Sequence, residues 1–389
     1  MKQKKLIVAA LTVAIALPVS ALADNGNFTF YGTGDLSYDM VSTGDGTTTA
    51  NGATSVTGIS KRVVSSNVSK FGFKGSEDLG EGLSAIWQVE QQINIDDAAK
   101  NTFASRNTFV GLKNESLGTL LFGIYDTPYK ISTRKLDVFG DNIADNRALI
   151  GAPKAVAAVA VTPSAGAAAF AGSSNQGFEL RPTNVLAYTS PAFAGVTASV
   201  ATVNLTEQNY TNAHLANSAL SLAAMYDVAP FYGSVAYESH KLETVAAGAK
   251  ESATRLGFGF KPEAFELNVV YEKTTDNFGA GQVNSLGHSA YYVGGKYNIG
   301  NDAVKLAYGK TGVLGTGTLQ VVDSGASQVS FGYDRGLSKR TKLYALYTKI
   351  ANGKGINYGL SQNSGAATTS SGGFGTSPSA ISLGVKHSF

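Results

Sequence analysis

Apolar and polar residues alternate in short runs along most of this chain, with the two-residue period of strands whose faces meet different surroundings. Between Ser69 and Pro128, Leu83, Ala85, Trp87 and Val89 fall on one face, and Ser84, Ile86, Gln88 and Glu90 on the other. Leu120, Phe122 and Ile124 alternate with Thr119, Gly123 and Tyr125, Leu121 being the exception. No run there is apolar on both faces, as a strand of a buried parallel sheet would be. The connections alternate as well: SEDLGEG and NESLG are short glycine-containing turns, Asn94 to Ser105 is longer and polar, and the connection after Pro128 reaches to about Pro182. Short turns at one side and long loops at the other are the rhythm of an all-β, transmembrane antiparallel β-barrel.

The rhythm holds at both ends. In Asn27 to Met40, Phe28, Phe30, Leu36, Tyr38 and Met40 face one way and Thr29, Tyr31, Thr33, Asp35, Ser37 and Asp39 the other. A polar loop is expected from about Val41 to Asn67, followed by a strand that sets Phe71 and Phe73 against Lys70 and Lys74. Those lysines belong on a water-filled side, because a basic residue on the lipid face at mid-bilayer costs about 2–4 kcal/mol. Further runs follow to Ala380–Phe389, for about sixteen strands, an even number as bacterial barrels require.

Past the first residues, no stretch approaches the roughly 18 apolar residues of a spanning helix. Alternation hides a barrel strand from such a scan. Only closed sheets can then cross, since each unpaired backbone group in hydrocarbon costs several kcal/mol. Met1 to Ala23 reads as a secretory leader: Lys2, Lys4 and Lys5, an apolar core from Leu6 to Leu17, then Ala21-Leu22-Ala23. The rival reading is a membrane anchor, but the core is short and Asp24-Asn25-Gly26-Asn27 follows at once. The expected organisation is a leader over 1–23 and a barrel over 24–389, with a long connection over 127–182.

Of 31 basic residues, three lie in the leader, so 28 remain against 28 acidic ones. That neutrality argues against nucleic acid as a partner. The chain has no cysteine, which removes thiol catalysis, disulfides and thiolate metal sites. His214, His240, His288 and His387 are scattered without metal-ligand spacing, and Gly257-x-Gly259 lacks the strand–turn–helix setting of a phosphate cradle. No enzyme, cofactor or metal is expected.

Several segments resemble a known family. SKFGFKGSEDLGEGLSAIWQVE, SRNTFVGLKNESLGTLLFG, DTPYK, LDVFGDN, RPTNVLAYTSPAFAGV, GLSKRTKLYALYTKI and the final SLGVKHSF are similar to the Gram-negative general porins, most of all to their β-proteobacterial and neisserial branch. The resemblance implies that the 127–182 connection is the long loop 3 that folds into the lumen. It implies a basic constriction wall at Lys70, Lys74 and Arg106; Arg255 joins them by strand parity alone. Where a further basic residue is expected, the chain has Ala187. Leu136, Phe139, Ile143 and Leu149 are apolar anchors for the loop, and Asp137, Asp141 and Asp145 recur every four residues. A helical turn would put these aspartates on one side, as an acidic lip at the water path or as the solvated face of a surface helix. Their spacing is not that of an EF-hand calcium loop. Ala152 to Gly172 is an alanine-rich insert with no assigned role, and terminal Phe389 resembles the assembly signal of outer-membrane barrels.

The expectation is an outer-membrane, homotrimeric channel, embedded in lipid, for passive diffusion of small hydrophilic solutes and ions. Alternatives are a substrate-selective channel and a surface-displayed barrel acting as an adhesin or receptor. Ion preference leans toward anions from the basic wall, opposed by the acidic loop.

Overall fold

The computed structural model describes residues 27–97, 103–151, 177–204, 217–242, 248–277, 284, 286–360 and 373–389. The expected leader and the alanine-rich insert lie outside the described residues.

The described chain is almost all antiparallel sheet. β1 is Thr29–Ser42, β2 has two pieces, Ser60–Ser66 and Lys70–Gly80, and β3 is Leu83–Gln92. β4 Thr108–Asn114, β5 Gly118–Ile124, β6 Val185–Thr189 and β7 Val196–Asn204 follow. Then come β8 Ser218–Val228, β9 Phe231–Lys241, β10 Lys250–Phe260, β11 Phe265–Asp276 and β12 Ser289–Ile299. β13 Asp302–Thr311, β14 Ala326–Gly336, β15 Thr341–Asn352 and β16 Ser379–Ser388 complete the wall. Each strand pairs with its sequence neighbours, and β1 pairs with β16 from Thr33↔Ser388 to Ser42↔Ser379, which closes the ring. Closure leaves the sixteen-position wall without an edge among the described residues.

Seventeen hydrogen-bonded segments make sixteen wall positions, because the two pieces of β2 both pair with β1, end to end. The break falls at Asn67–Ser69, with Val68 at φ 54. Ser69 Oγ accepts from Asp35 N at 2.9 Å, and Asn67 N donates to Asp35 O at 2.7 Å, so the interruption leaves β1 satisfied. Ser60–Ser66 corrects the loop expected from Val41 to Asn67. SKRVVSS shows no clean alternation, yet the upper half of β1 needs a backbone partner, and tertiary pairing supplies one.

Burial is inverted relative to a water-surrounded protein. Phe30, Tyr38, Val110, Phe122, Leu256, Phe258, Leu306, Phe331 and Leu383 stand exposed, whereas Asp35, Asp39, Glu238, Arg255 and Glu272 are buried. Within β10 the two faces are cleanly split: Arg255 is 1% exposed and its neighbour Leu256 49%. Apolar residues outside and polar ones inside fit a ring set in lipid. Among the described residues no helix is long and apolar enough to cross a membrane.

Buried apolar packing sits on the polar-face side. Leu136, Phe139, Ile143 and Leu149 of the long connection join Ile350, Ile356, Tyr358 and Leu360 in one cluster.

Candidate functional site

The connection after β5 is held by its own polar residues. Thr127 caps the short helix α1, Pro128–Arg134, its side chain accepting from Lys130 N, with Pro128 pre-set for the first turn. From this helix Tyr129 donates its hydroxyl to Glu272 Oε2 at 2.7 Å, and its backbone N donates to Ser221 Oγ at 3.0 Å. The Arg255 guanidinium lies 4.2 Å from the Tyr129 ring centre. Arg255 donates to Glu272 through Nε at 2.9 Å and to Glu179 through Nη1 at 2.5 Å, while Thr133 Oγ1 accepts at 3.2 Å. Gly151 N donates to Glu272 Oε1 at 2.7 Å. Residues from the start, middle and end of the connection thus converge on one β10–β11 pair.

Two glycines of the wall make room for this packing. A Cβ on Gly257 would lie 2.7 Å from Leu136 Cδ1, and one on Gly332 would lie 2.7 Å from Phe139 Cε1. The apolar anchors expected from sequence, Leu136, Phe139, Ile143 and Leu149, are all buried.

The sequence-predicted residues divide into three groups. Lys70, Lys74 and Arg106 gather on the polar face. Lys70 Nζ is 3.2 Å from Glu90 Oε2 and Arg106 Nε is 2.5 Å from Glu90 Oε1. Tyr31 donates to Glu90 at 3.0 Å, and Lys74 Nζ lies 5.4 Å from the Tyr31 ring centre. Two cations, Lys70 and Arg106, therefore share one carboxylate, with Lys74 over the Tyr31 ring beside them. Arg255 is not with them. It is sealed between Glu179 and Glu272, so its charge is spent on holding the connection, which corrects its placement in a water-facing wall.

Asp137, Asp141 and Asp145 converge, but not through a helix, since α1 ends at Arg134 and turns follow. Arg134 Nη2 lies 2.6 Å from both Asp141 and Asp145, and Arg147 Nη2 lies 2.8 Å from Asp145. Asp137 accepts from Phe139 N, Asn146 N and the Tyr292 hydroxyl. Only the Asp141 side chain is substantially exposed, at 40%. The expected three-residue acidic lip becomes one accessible carboxylate backed by a neutralised knot. Burial opposes the charge of Asp141 and Asp145, but Arg134 and Arg147 outweigh it and hold both carboxyls below their usual range. Burial and the Asp145 charge push Asp137 up.

Sequence reasoning missed Glu90 as the shared partner, although its position on the polar face of β3 was legible. It also missed Lys130 and Arg181. Asp126 Oδ1 is 2.9 Å from Lys130 Nζ and 3.0 Å from Arg181 Nε. Those two cations overcome burial and lower the Asp126 pKa, while burial lowers Lys130 to about 8 despite Asp126. Ala187 is buried against Leu121, Leu180 and Ala201 in an apolar patch. Phe389 exchanges both backbone hydrogen bonds with Gly32 at 3.0 Å, and its ring lies 5.7 Å from that of Phe30. Among the described residues no group of three or more His, Cys, Asp or Glu is placed to hold a metal.

A family profile described as Gram-negative porin matches residues 10–355. Major outer membrane protein P.IB of Neisseria gonorrhoeae is 40% identical over 129 residues, 31% of this chain and 32% of that protein. Major outer membrane protein P.IA of Neisseria meningitidis serogroup A is 35% identical over 99 residues, 24% of this chain and 25% of that protein. The match thus spans a third or less of these curated relatives. Among solved structures, the anion-selective porin from Comamonas acidovorans superposes with a TM-score of 0.70 at 22% identity, over 94% of this chain and all of that one. The trimer form of OmpT from Vibrio cholerae gives 0.60 at 12% identity, over 94% and 100% of the two chains.

Proposed function

The chain belongs to the Gram-negative porin family, and we propose from that premise that it forms a water-filled outer-membrane channel for passive diffusion of small hydrophilic solutes and ions. The observation that carries this reading is the inversion of faces around a closed ring: apolar side chains outside, ionisable ones inside. Such a ring has little to offer a lipid bilayer except a lumen.

The 127–182 connection is the constriction loop. Its anchoring on Gly257, Gly332, Arg255 and Glu272, all on polar-face positions, supports a place inside the lumen. Lys70, Lys74 and Arg106 form the basic wall and Asp141 the exposed carboxylate of the loop. Fixed opposite charges across a narrow path orient dipolar solutes and hinder apolar ones. Lys70 and Arg106 sharing Glu90, with Lys74 beside them, leave a net positive charge that favours anions over cations. The protein works as a homotrimer, exported by a leader over 1–23, and the apolar outer faces of the early and late strands supply the contact. Phe389, stitched to β1, serves as the assembly signal.

Reconstitution in planar bilayers tests the reading. Large, stable, stepwise openings are expected, and an electrically silent barrel would reject it. In a KCl gradient, Arg106→Ala moves the reversal potential toward cation preference; no movement removes Arg106 from the constriction.

A further inference from the structure

We propose that the polar face beside Asp39 is a metal-cation site, taking a hard ion of the calcium class through oxygen donors from β1, β2 and β16. Asp39 is 0% exposed, and neither of its carboxylate oxygens has a hydrogen-bond partner. No lysine, arginine or histidine among the described residues forms an ion pair with it. Directly opposite across the closing ladder stands Ser382, also buried, whose Oγ is unpartnered. Asn67, buried at the break in β2, gives its Nδ2 to Ser37 Oγ at 2.7 Å and to Tyr344 Oη at 3.0 Å. That leaves its Oδ1 without a partner. Ser37 precedes Asp39 by two residues, on the same face.

The unpartnered atoms are all oxygens, and what they lack is positive charge. A buried, unpaired carboxylate is strongly disfavoured, so something must neutralise it. Asp35, four residues earlier on the same face of β1, shows the contrast: Lys386 lies 3.3 Å away and the Tyr344 hydroxyl donates at 2.9 Å. Asp39 has neither. A carboxylate, an amide oxygen and a hydroxyl form a hard donor set, with water completing the shell. It suits calcium, which accepts irregular oxygen coordination, better than magnesium, which demands near-ideal octahedral geometry. One carboxylate with neutral oxygens is a different arrangement from the His/Cys/Asp/Glu clusters that the described residues lack. Val41 and Ala380, the same-face neighbours of Asp39 and Ser382, belong to the apolar cluster that seats Leu136 and Phe139. An ion here would brace the wall beneath that cluster.

Terbium is the probe, because a tyrosine near a bound lanthanide sensitises its emission, and Tyr344 is hydrogen-bonded to Asn67. The folded full chain in detergent, stripped with a chelator, is titrated with Tb3+ and then with Ca2+ or Mg2+. Saturable emission is expected, displaced by Ca2+ at lower concentration than by Mg2+. Asp39→Asn weakens binding at least tenfold and Ser382→Ala several-fold, while Asp78→Asn, exposed near the end of β2, leaves it unchanged. Ca2+ should also raise the unfolding temperature of the native chain and not that of Asp39→Asn. Equal Tb3+ binding by native and Asp39→Asn protein overturns the proposal. So does a native chain indifferent to Ca2+. Should Asp39→Asn fail to fold, judged by heat-modifiable migration, Ser382→Ala decides: unchanged Tb3+ affinity overturns the site.

Discussion

Arg106 and Arg255 both stand on the polar side of the wall, and their charge balance is opposite. Around Arg106, two cations share one carboxylate with Lys74 close by, and Lys70 keeps 31% of its side chain in water. Around Arg255, two carboxylates share one cation, and everything is sealed. The first cluster keeps an unspent positive charge. The second has none to spare, and its partners come from three parts of the long connection. Under the proposed function, the same residue type on the same side serves conduction in one place and fastening in the other, and the cover decides which.

Removing the fastening should have the largest effect. Arg255→Met leaves Glu179 and Glu272 buried without a counter-charge, a loss of about 3–5 kcal/mol. Denaturant unfolding should show it, and single-channel records should become larger and noisier as the connection comes loose. Unaltered conductance would place the hold elsewhere. Gly332→Ala attacks the same seat by crowding Phe139, at about 1–3 kcal/mol, with a smaller rise in current noise.

Glu90→Gln probes the other cluster. It frees two cations, and one charge at about 5 Å in water is worth about 0.8 kcal/mol, roughly a fourfold change in local ion ratio. Reversal potentials should move toward anions while stability barely changes, the reverse of Arg255→Met.

Lys130 gives the smallest signal and lies between the two. Its pKa, lowered to about 8, is below the usual lysine value of about 10.4. The native state then binds fewer protons than the unfolded chain between those values, so this group adds stability as pH rises from about 8 to 10. Over the lower part of that window the connection loses a charge. Anion preference should fall slightly between pH 7 and 9, and the step should vanish in Lys130→Met.

The wall was largely legible in the sequence, because a strand with two unlike neighbours must repeat every two residues. Lys70, Lys74 and Glu90 could be assigned to a face on that ground alone. Ser60–Ser66 was not legible, since its pairing is dictated by β1 rather than by its own pattern. Parity placed Arg255 correctly on the inner side, but parity is blind to what lies over a side chain. Glu179, which buries it, is 76 residues away in sequence. The aspartates were a different failure. Their spacing of four suggested a helix, whereas Arg134 and Arg147, close by in sequence, gather them through turns. Leu136, Phe139, Ile143 and Leu149 were readable as anchors because apolar residues in a polar connection need somewhere dry to go.

The ladder between β1 and β16 carries a consequence for how the molecule comes into being. Thr33 and Ser388, whose side chains lie 3.3 Å apart, are separated by 355 positions. Contacts of such long range form late and make folding slow. Until they form, Thr33–Ser42 and Ser379–Ser388 are two raw margins, each able to zip onto another unfinished molecule as readily as onto its own counterpart. Yield on refolding should therefore fall as concentration rises, even though the completed cylinder has no margin to offer.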